Sequence, residues 1–346
     1  MEREDWFRVV EMKGPGPIPC RPVLSGATWN QHKEELQKIV DKYPDVFGGS
    51  SPRGKWENFD DRHSIETTID SWGCRWDNAQ AGIVGQVTEH PLEDWDDFNG
   101  FEPPDPEYKT DFGDKDWDSE RKKIKEAKEQ GQITAGGVSH GFLFQRLYYL
   151  RGFENLMMDI ATGDPRLLKL IDMVVEFNMK IVKRYLSLGV DLMQFGDDLG
   201  MQERLTVSPE QWRRYIGPAY TKLFQTCRNA GAHVHLHSDG YITDIMEDLI
   251  EAGVTILNPQ DLIHGLDVLK GKLKGKICID LDIDRQKIIP WASPQEIDNH
   301  IKRCIKKLGS RQGGLMMVCG IYPPTPIENI EALIRAMSRY RTMYAE

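Results

Sequence analysis

Eight short apolar runs alternate along this chain with long stretches of helical periodicity, and that alternation limits the fold more than any other feature. The runs are RPVLSG (21–26), DVFGG (45–49), ITAGGVS (133–139), DLMQFG (191–196), HVHLH (233–237), TILNP (255–259), KICIDL (276–281) and GLMMVC (314–319). Each has the length of a strand. Helix start signals stand between them: Asp164-Pro165, Ser208-Pro209 with Gln211, and Ser293-Pro294 with Glu296. Strands joined through helices run parallel, because a tight hairpin can join only antiparallel neighbours. Right-handed crossovers then favour an α/β fold closed as a (β/α)8 TIM-type barrel, with a doubly wound open sheet as the alternative. The amphipathic start, MEREDWFRVVEMK, adds an N-terminal helix. A single domain over residues 1–346 is expected, since a chain 40% hydrophobic can bury one large core and no break in composition divides it.

One region departs from the alternation. Residues 56–125 are rich in Trp, Asp and Pro (WENFDDRHS, DSWGCRW, EDWDDFNGFEPPDP), and TTIDSWGCRWDN followed by GIVGQVTEHPL has the pattern of a hairpin with a glycine-containing loop. It is read as an insertion or lid over the barrel mouth. Its Trp72, Trp76 and Trp95 either line a substrate pocket or staple the long loop to the barrel.

Charge and composition exclude several classes of function. A net charge of −10 disfavours nucleic acid and anionic membrane as partners, and no run approaches the roughly 20 apolar residues of a membrane span. The acidic start lacks the features of a secretory signal, so the expectation is a cytoplasmic enzyme acting on a small molecule. Six cysteines, Cys20, Cys74, Cys227, Cys278, Cys304 and Cys319, show no CxxC spacing and are expected as free thiols unless a metal takes one.

In a barrel the residues just past each strand gather at one face, where the chemistry sits. Here they are Ser139 and His140, Asp197 and Asp198, then His235, His237 and Asp239, Asn258 and Gln260, Asp280 and Asp282, and Cys319. His233, His235 and His237 alternate along a strand and so point to one side, as a metal site or a proton relay requires. His233 lies deepest and is read as the packing member. Asp197 and Asp198 have a competing role as caps for the following helix, and only one of these two neighbours can face the site; Asp280 and Asp282 are either bases or solvated loop ends.

The order FGDDLG, SPEQWRRYIGPAYTKLF, HVHLHSDG and GLMMVCGIYPPTPIENIEAL resembles the uroporphyrinogen decarboxylase superfamily over most of residues 130–340. The resemblance implies a (β/α)8 barrel, often paired as a homodimer, and one of two activities: decarboxylation of a porphyrinogen without a cofactor, or zinc-dependent methyl transfer with a corrinoid protein. Decarboxylases of the family carry an arginine-rich segment after the first strand, whereas this chain reads RPVLSGATWNQ there, with Arg21 ahead of the strand. The methyltransferase pattern, H-x-C with a distant Cys before Gly, carries onto His235, His237 and Cys319 as Zn2+ ligands, with His237 in place of the usual cysteine. Two imidazoles and one thiolate would leave zinc near +1 and make it a stronger Lewis acid. Asp197, Asp198 and Asp239 are then acid/base or orienting groups, and Ser139, His140, Asn258, Gln260 and Asp280 bind substrate. The corrinoid must arrive on a separate protein, because no D-x-H-x-x-G carrier motif is present and the nearest string, DRHSIE (61–66), has Glu in the glycine position. Two alternatives stay open: a cofactor-free decarboxylase on a porphyrinogen or smaller acid, and a non-catalytic protein that holds a corrinoid or porphyrin.

Overall fold

The computed structural model describes residues 2–47 and 63–345. Among them are ten strands: β1 (Cys20–Leu24), β2 (Thr67–Ile69), β3 (Arg75–Asp77), β4 (Gln86–Glu89), β5 (Ala135–Gly137), β6 (Leu192–Gly196), β7 (His233–His237), β8 (Ile256–Asn258), β9 (Cys278–Asp282) and β10 (Leu315–Ile321). The class is α/β as expected, with a parallel sheet of seven strands, β1 and β5 to β10. The expected strand at 45–49 is absent from it: Asp45, Val46 and Phe47 form a turn, and Gly48 and Gly49 lie outside the described residues. The N-terminal helix is present as Arg3–Val10, burying Trp6, Val9 and Val10.

The chain divides into two compact units. The first comprises Met1–Ile65, Asn78–Gly85 and Leu257–Glu346. Here β10 pairs in parallel with β1 on one side and β9 on the other, with Cys319 opposite Pro22. The helix Pro294–Leu308 starts as its sequence predicts, on a capping box in which Ser293 and Glu296 satisfy each other's backbone N–H. Its Ile297, Ile301, Cys304, Ile305 and Leu308 recur at three and four residue intervals and are buried. Each fully buried Ile contributes about 1.5–3 kcal/mol, which exceeds the helix propensity that β-branching forfeits.

The second unit comprises Glu66–Asp77 and Gln86–Ile256. Its β5, β6 and β7 are parallel neighbours in that order, and the register sets Leu192 beside His233, Gln194 beside His235 and Gly196 beside His237. Val234 and Leu236 are fully buried, while the histidines occupy the alternate positions of β7. The helix Pro165–Ser187 starts on Asp164, whose side chain accepts from the Arg166 N–H, and buries Leu167, Leu170, Ile171, Val174 and Val175.

Trp72, Trp76 and Trp95 take the packing option, while WENFDDR (56–62) lies outside the described residues. Strands β2, β3 and β4 form a small antiparallel sheet. Trp72, Trp76 and Trp95 are buried, and each indole N–H donates to a carboxylate: Asp111 at 3.1 Å, Asp70 at 3.1 Å and Asp159 at 3.0 Å. Arg146 pairs with Asp70 at 2.9 Å and Asp111 at 2.8 Å and stacks 5.1 Å from the Trp72 ring. The loop is therefore stapled to the helix Phe144–Arg151 by buried, fully bonded charges, an arrangement costly to open because each lost partner leaves an uncompensated ion. Among the described residues all six cysteines are free and buried, and no helix is long and apolar enough to cross a membrane.

Candidate active site at the ends of β6 and β7

The residues Gly196 to Gly200 of FGDDLG aim the side chains that follow β5, β6 and β7. Gly196 ends β6 where a Cβ would stand 2.6 Å from Cδ2 of His140, so only glycine leaves that imidazole its place. The Asp197 N–H donates to the His237 carbonyl at 3.0 Å and carries the β6–β7 pairing one residue further. The loops then press together. A Cβ on Gly240, whose φ is +79°, would lie 2.1 Å from the Gly200 carbonyl oxygen, and Leu199 N–H donates to Ser238 Oγ at 3.1 Å.

Asp197 and Asp198 diverge completely. Asp197 is fully buried and accepts three bonds, from the N–H groups of Phe144 at 2.6 Å and Gln145 at 2.9 Å and from the Tyr220 hydroxyl at 2.8 Å. Those N–H groups open the helix Phe144–Arg151, whose own N-cap position, Leu143, has no side-chain acceptor to offer. Asp197 thus caps a helix distant in sequence and neutralises its positive end. Burial pushes its carboxyl up to about 6 against these donors, and burial with the Asp197 charge raises the Tyr220 phenol well above its ordinary value.

Asp198 is half-exposed and meets the histidines. Its Oδ1 lies 3.4 Å from Nε2 of His140 and 3.7 Å from Nε2 of His237, and accepts from the Asp239 N–H at 3.0 Å. Gln145 clamps it from both sides: Nε2 donates to Oδ2 at 3.1 Å, and Oε1 accepts from the Asp198 N–H at 3.1 Å. Burial raises the Asp198 carboxyl, but the bond and charge of His140 together with the charge of His237 outweigh burial and the repulsion of Asp239, so it sits below its usual range. Asp239 Oδ1 is 3.4 Å from His237 Nε2, and the rings of His140 and His237 lie 5.5 Å apart. Two imidazoles and two carboxylates in this space can move protons or hold a cation.

The remaining candidates spread over both units. In this unit His233 is buried with Nδ1 3.2 Å from Thr255 Oγ1, in keeping with its packing assignment; His235 is buried, and Ser139 is half-buried after β5. In the other unit Asp280 and Asp282 are each 2% exposed, which overturns their reading as solvated loop ends. Asp280 faces Arg21 at 3.7 Å, and its carbonyl accepts from Asn258. Arg21 itself lies within β1 rather than ahead of it. Asp282 accepts from Arg285 at 2.6 Å, and Gln260 bridges to its backbone. Cys319 Sγ is fully buried within 3.7 Å of the Ile283 carbonyl and 3.6 Å of the Gly320 carbonyl; burial and the Asp282 charge hold its thiol well above the ordinary range.

Gln145 and Tyr220 escape a reading by strand ends because both sit on helices. Tyr220 falls inside the GPAYTKLF segment already marked by resemblance. Gln145 carries no local signal.

Residues 64–340 match the family model described as Uroporphyrinogen decarboxylase (URO-D). A uroporphyrinogen decarboxylase of Thermus thermophilus is 27% identical over 169 residues, 48% of this chain and 46% of that protein, so the chain spans about half the length of this relative. Methylcobamide:CoM methyltransferase MtbA of Methanosarcina mazei is 21% identical over 326 residues, covering 92% of this chain and 88% of that protein. Among solved structures, a methyltransferase from Methanosarcina mazei superposes with a TM-score of 0.62 at 17% identity, over 96% of this chain and 98% of the other, and shares its fold. The chain belongs to the uroporphyrinogen decarboxylase family, with its full-length likeness on the side of the methyltransferases.

Proposed function

We propose that this protein catalyses metal-dependent methyl transfer between a small methylated substrate and a corrinoid protein. The observation that carries the reading is the end of β7, where a half-exposed His237 faces Asp198 and Asp239 at 3.7 and 3.4 Å, in a chain whose full-length relative is named for methyl transfer from a methylcobamide. The donors fit a zinc-class cation. His237 offers an accessible imidazole nitrogen, and its carboxylate neighbours offset positive charge.

Family resemblance carries over His235, His237 and Cys319 as its ligand set. Burial keeps the Cys319 thiol protonated, so that side chain could bind a divalent cation only by giving up its proton. When bound, the metal supplies Lewis acidity toward the substrate heteroatom that bears or receives the methyl group. The other tasks fall to the chain itself. Asp198 and Asp239 orient the His237 ring and exchange the proton of that heteroatom, Gln145 fixes Asp198, and Asp197 fixes the helix that carries Gln145. Ser139, just past β5, provides a polar contact for the substrate. The corrinoid arrives on a partner protein, a reading supported by the likeness to a methylcobamide:CoM methyltransferase.

Incubating the zinc-loaded chain with methylated corrinoid protein and a panel of thiol, amine and hydroxylated acceptors should change the cobalt absorbance, and His237→Ala should abolish the change. An unchanged cobalt spectrum with every acceptor and every methyl donor would sink the proposal. A second reading, cofactor-free decarboxylation of a carboxylic acid, draws on the match to the URO-D model. Release of carbon dioxide by metal-free protein would establish it in place of the first.

A further inference from the structure

Deepening the reading above, on which it rests for its chemistry, we infer that His140, Asp198 and His237 form a divalent-cation seat of the two-histidine, one-carboxylate kind. Among the described residues their ligand atoms lie within 4.8 Å of one another. His235 is not a member of this group. The seat therefore differs from the set that resemblance implies, sharing only His237 with it.

Three observations support it. The first is spacing. Asp198 Oδ1 stands 3.4 and 3.7 Å from the two Nε2 atoms, whereas a charge-assisted hydrogen bond closes to about 2.7–2.9 Å. Metal bonds of about 2.0–2.2 Å place neighbouring ligand atoms roughly 3.0–3.5 Å apart at octahedral or tetrahedral angles. At 3.4 Å the His140 pair falls inside that range and at 3.7 Å the His237 pair lies just beyond it, so a cation shared by one carboxylate oxygen and two imidazole nitrogens needs only small movements of these side chains.

The second is preparation. Asp198 is held by the Asp239 N–H on Oδ1 and the Gln145 amide on Oδ2, and His140 keeps its position because Gly196 lacks a Cβ. Supports of this kind surround metal ligands and fix their orientation before the ion binds. The third is access. The side chains of His140, Asp198 and His237 are 39%, 29% and 22% exposed, so a cation here keeps open positions for substrate. The donors are two neutral imidazoles and one carboxylate, leaving a divalent ion near +1, and without a thiolate they suit Zn2+, Mn2+, Fe2+ or Co2+ more than softer ions. Asp239, 3.4 Å from His237, stands by as a base or a further oxygen ligand.

Cobalt titration of the chelator-stripped full chain tests this, because Co2+ reports its ligands by absorbance. The expectation is one bound equivalent, with no thiolate-to-cobalt charge transfer in the near ultraviolet. Affinity should fall about tenfold or more in His140→Ala and in Asp198→Asn, each checked for folding by circular dichroism, and hold within about twofold in Cys319→Ser. A charge-transfer band that disappears in Cys319→Ser would overturn the inference, as would wild-type protein that binds no cobalt or affinity indifferent to the first two substitutions. Should cobalt bind in the expected pattern while no acceptor takes a methyl group, the seat stands and the methyl-transfer reading fails.

Discussion

Among the described residues, the Asp261–His300–Cys304 group and the His140–Asp198–His237 group have almost the same composition and opposite character. In the first unit Asp261, His300 and Cys304 are all buried, and His300 Nε2 sits 2.6 Å from Asp261 Oδ2. Arg303 donates to the other ring nitrogen at 2.9 Å. A guanidinium has no acceptor, so Nδ1 must accept and the ring proton must lie on Nε2, aimed at Asp261. That nitrogen has no lone pair left for a metal. In the second unit His140, Asp198 and His237 are partly exposed and separated by 3.4 and 3.7 Å, beyond tight hydrogen-bond range. Residue type alone does not distinguish a lock from a site. Spacing, burial and the occupant of the second ring nitrogen do.

The contrast breaks most sharply at the lock. Asp261→Ala removes the acceptor of the His300 Nε2–H and of the Leu262 N–H and should cost about 2–5 kcal/mol in urea unfolding, at about 1–3 for each donor left bare, with cobalt affinity unchanged in the fraction that stays folded. A comparable loss of cobalt binding in folded protein would show that the two clusters were wrongly separated.

Asp197 gives the next largest effect, and its sign is set by burial. Its folded value of about 6 lies above the ordinary 3.8, so the stability it contributes is full below the ordinary value and is lost as pH rises through about 6. The stability difference between wild type and Asp197→Asn should therefore move against wild type between about pH 4 and 6, by on the order of 2–3 kcal/mol. A flat difference across that window would show that the three donors fully compensate the burial.

Gly196→Ala tests the packing that seats His140. The added methyl meets a ring that is partly exposed and can swing away, so unfolding should shift by roughly 0.5–1.5 kcal/mol while cobalt affinity drops several-fold. The smallest expected change in stability is that of Asp198→Asn, about 0.5–1 kcal/mol, because the amide keeps the size of the carboxylate and reaches solvent but must turn its NH2 toward one of the two donors, the Asp239 N–H or the Gln145 amide. A loss of several kcal/mol there would turn Asp198 into a second lock.

What the sequence conveys about this fold comes from period and punctuation. Seven of the eight strands, the capping box at Ser293 and the N-terminal helix follow from local pattern, and each forms where that pattern places it. The exception, DVFGG, is a short apolar run whose glycines fall outside the described residues, and Asp45–Phe47 turn rather than extend. The site is legible only in part. Alternation along HVHLH places three histidines on one side of a strand, and strand ends mark Asp198, Asp239 and His140 as neighbours in kind. Gln145 could not be found this way, since its contribution depends on a helix whose first N–H groups are anchored by Asp197 from another strand.

By itself the sequence determined the α/β class, the strands that carry the site and the residue types available to it, because hydrophobic period and cap chemistry act over a few residues at a time. The division of labour between adjacent aspartates was decided only by the tertiary structure. Asp197 and Asp198 have the same side chain and nearly the same place in the chain. One meets a helix start and a phenol in the dry interior, and the other meets two imidazoles beside solvent; their environments, not their identity, set which caps and which can act.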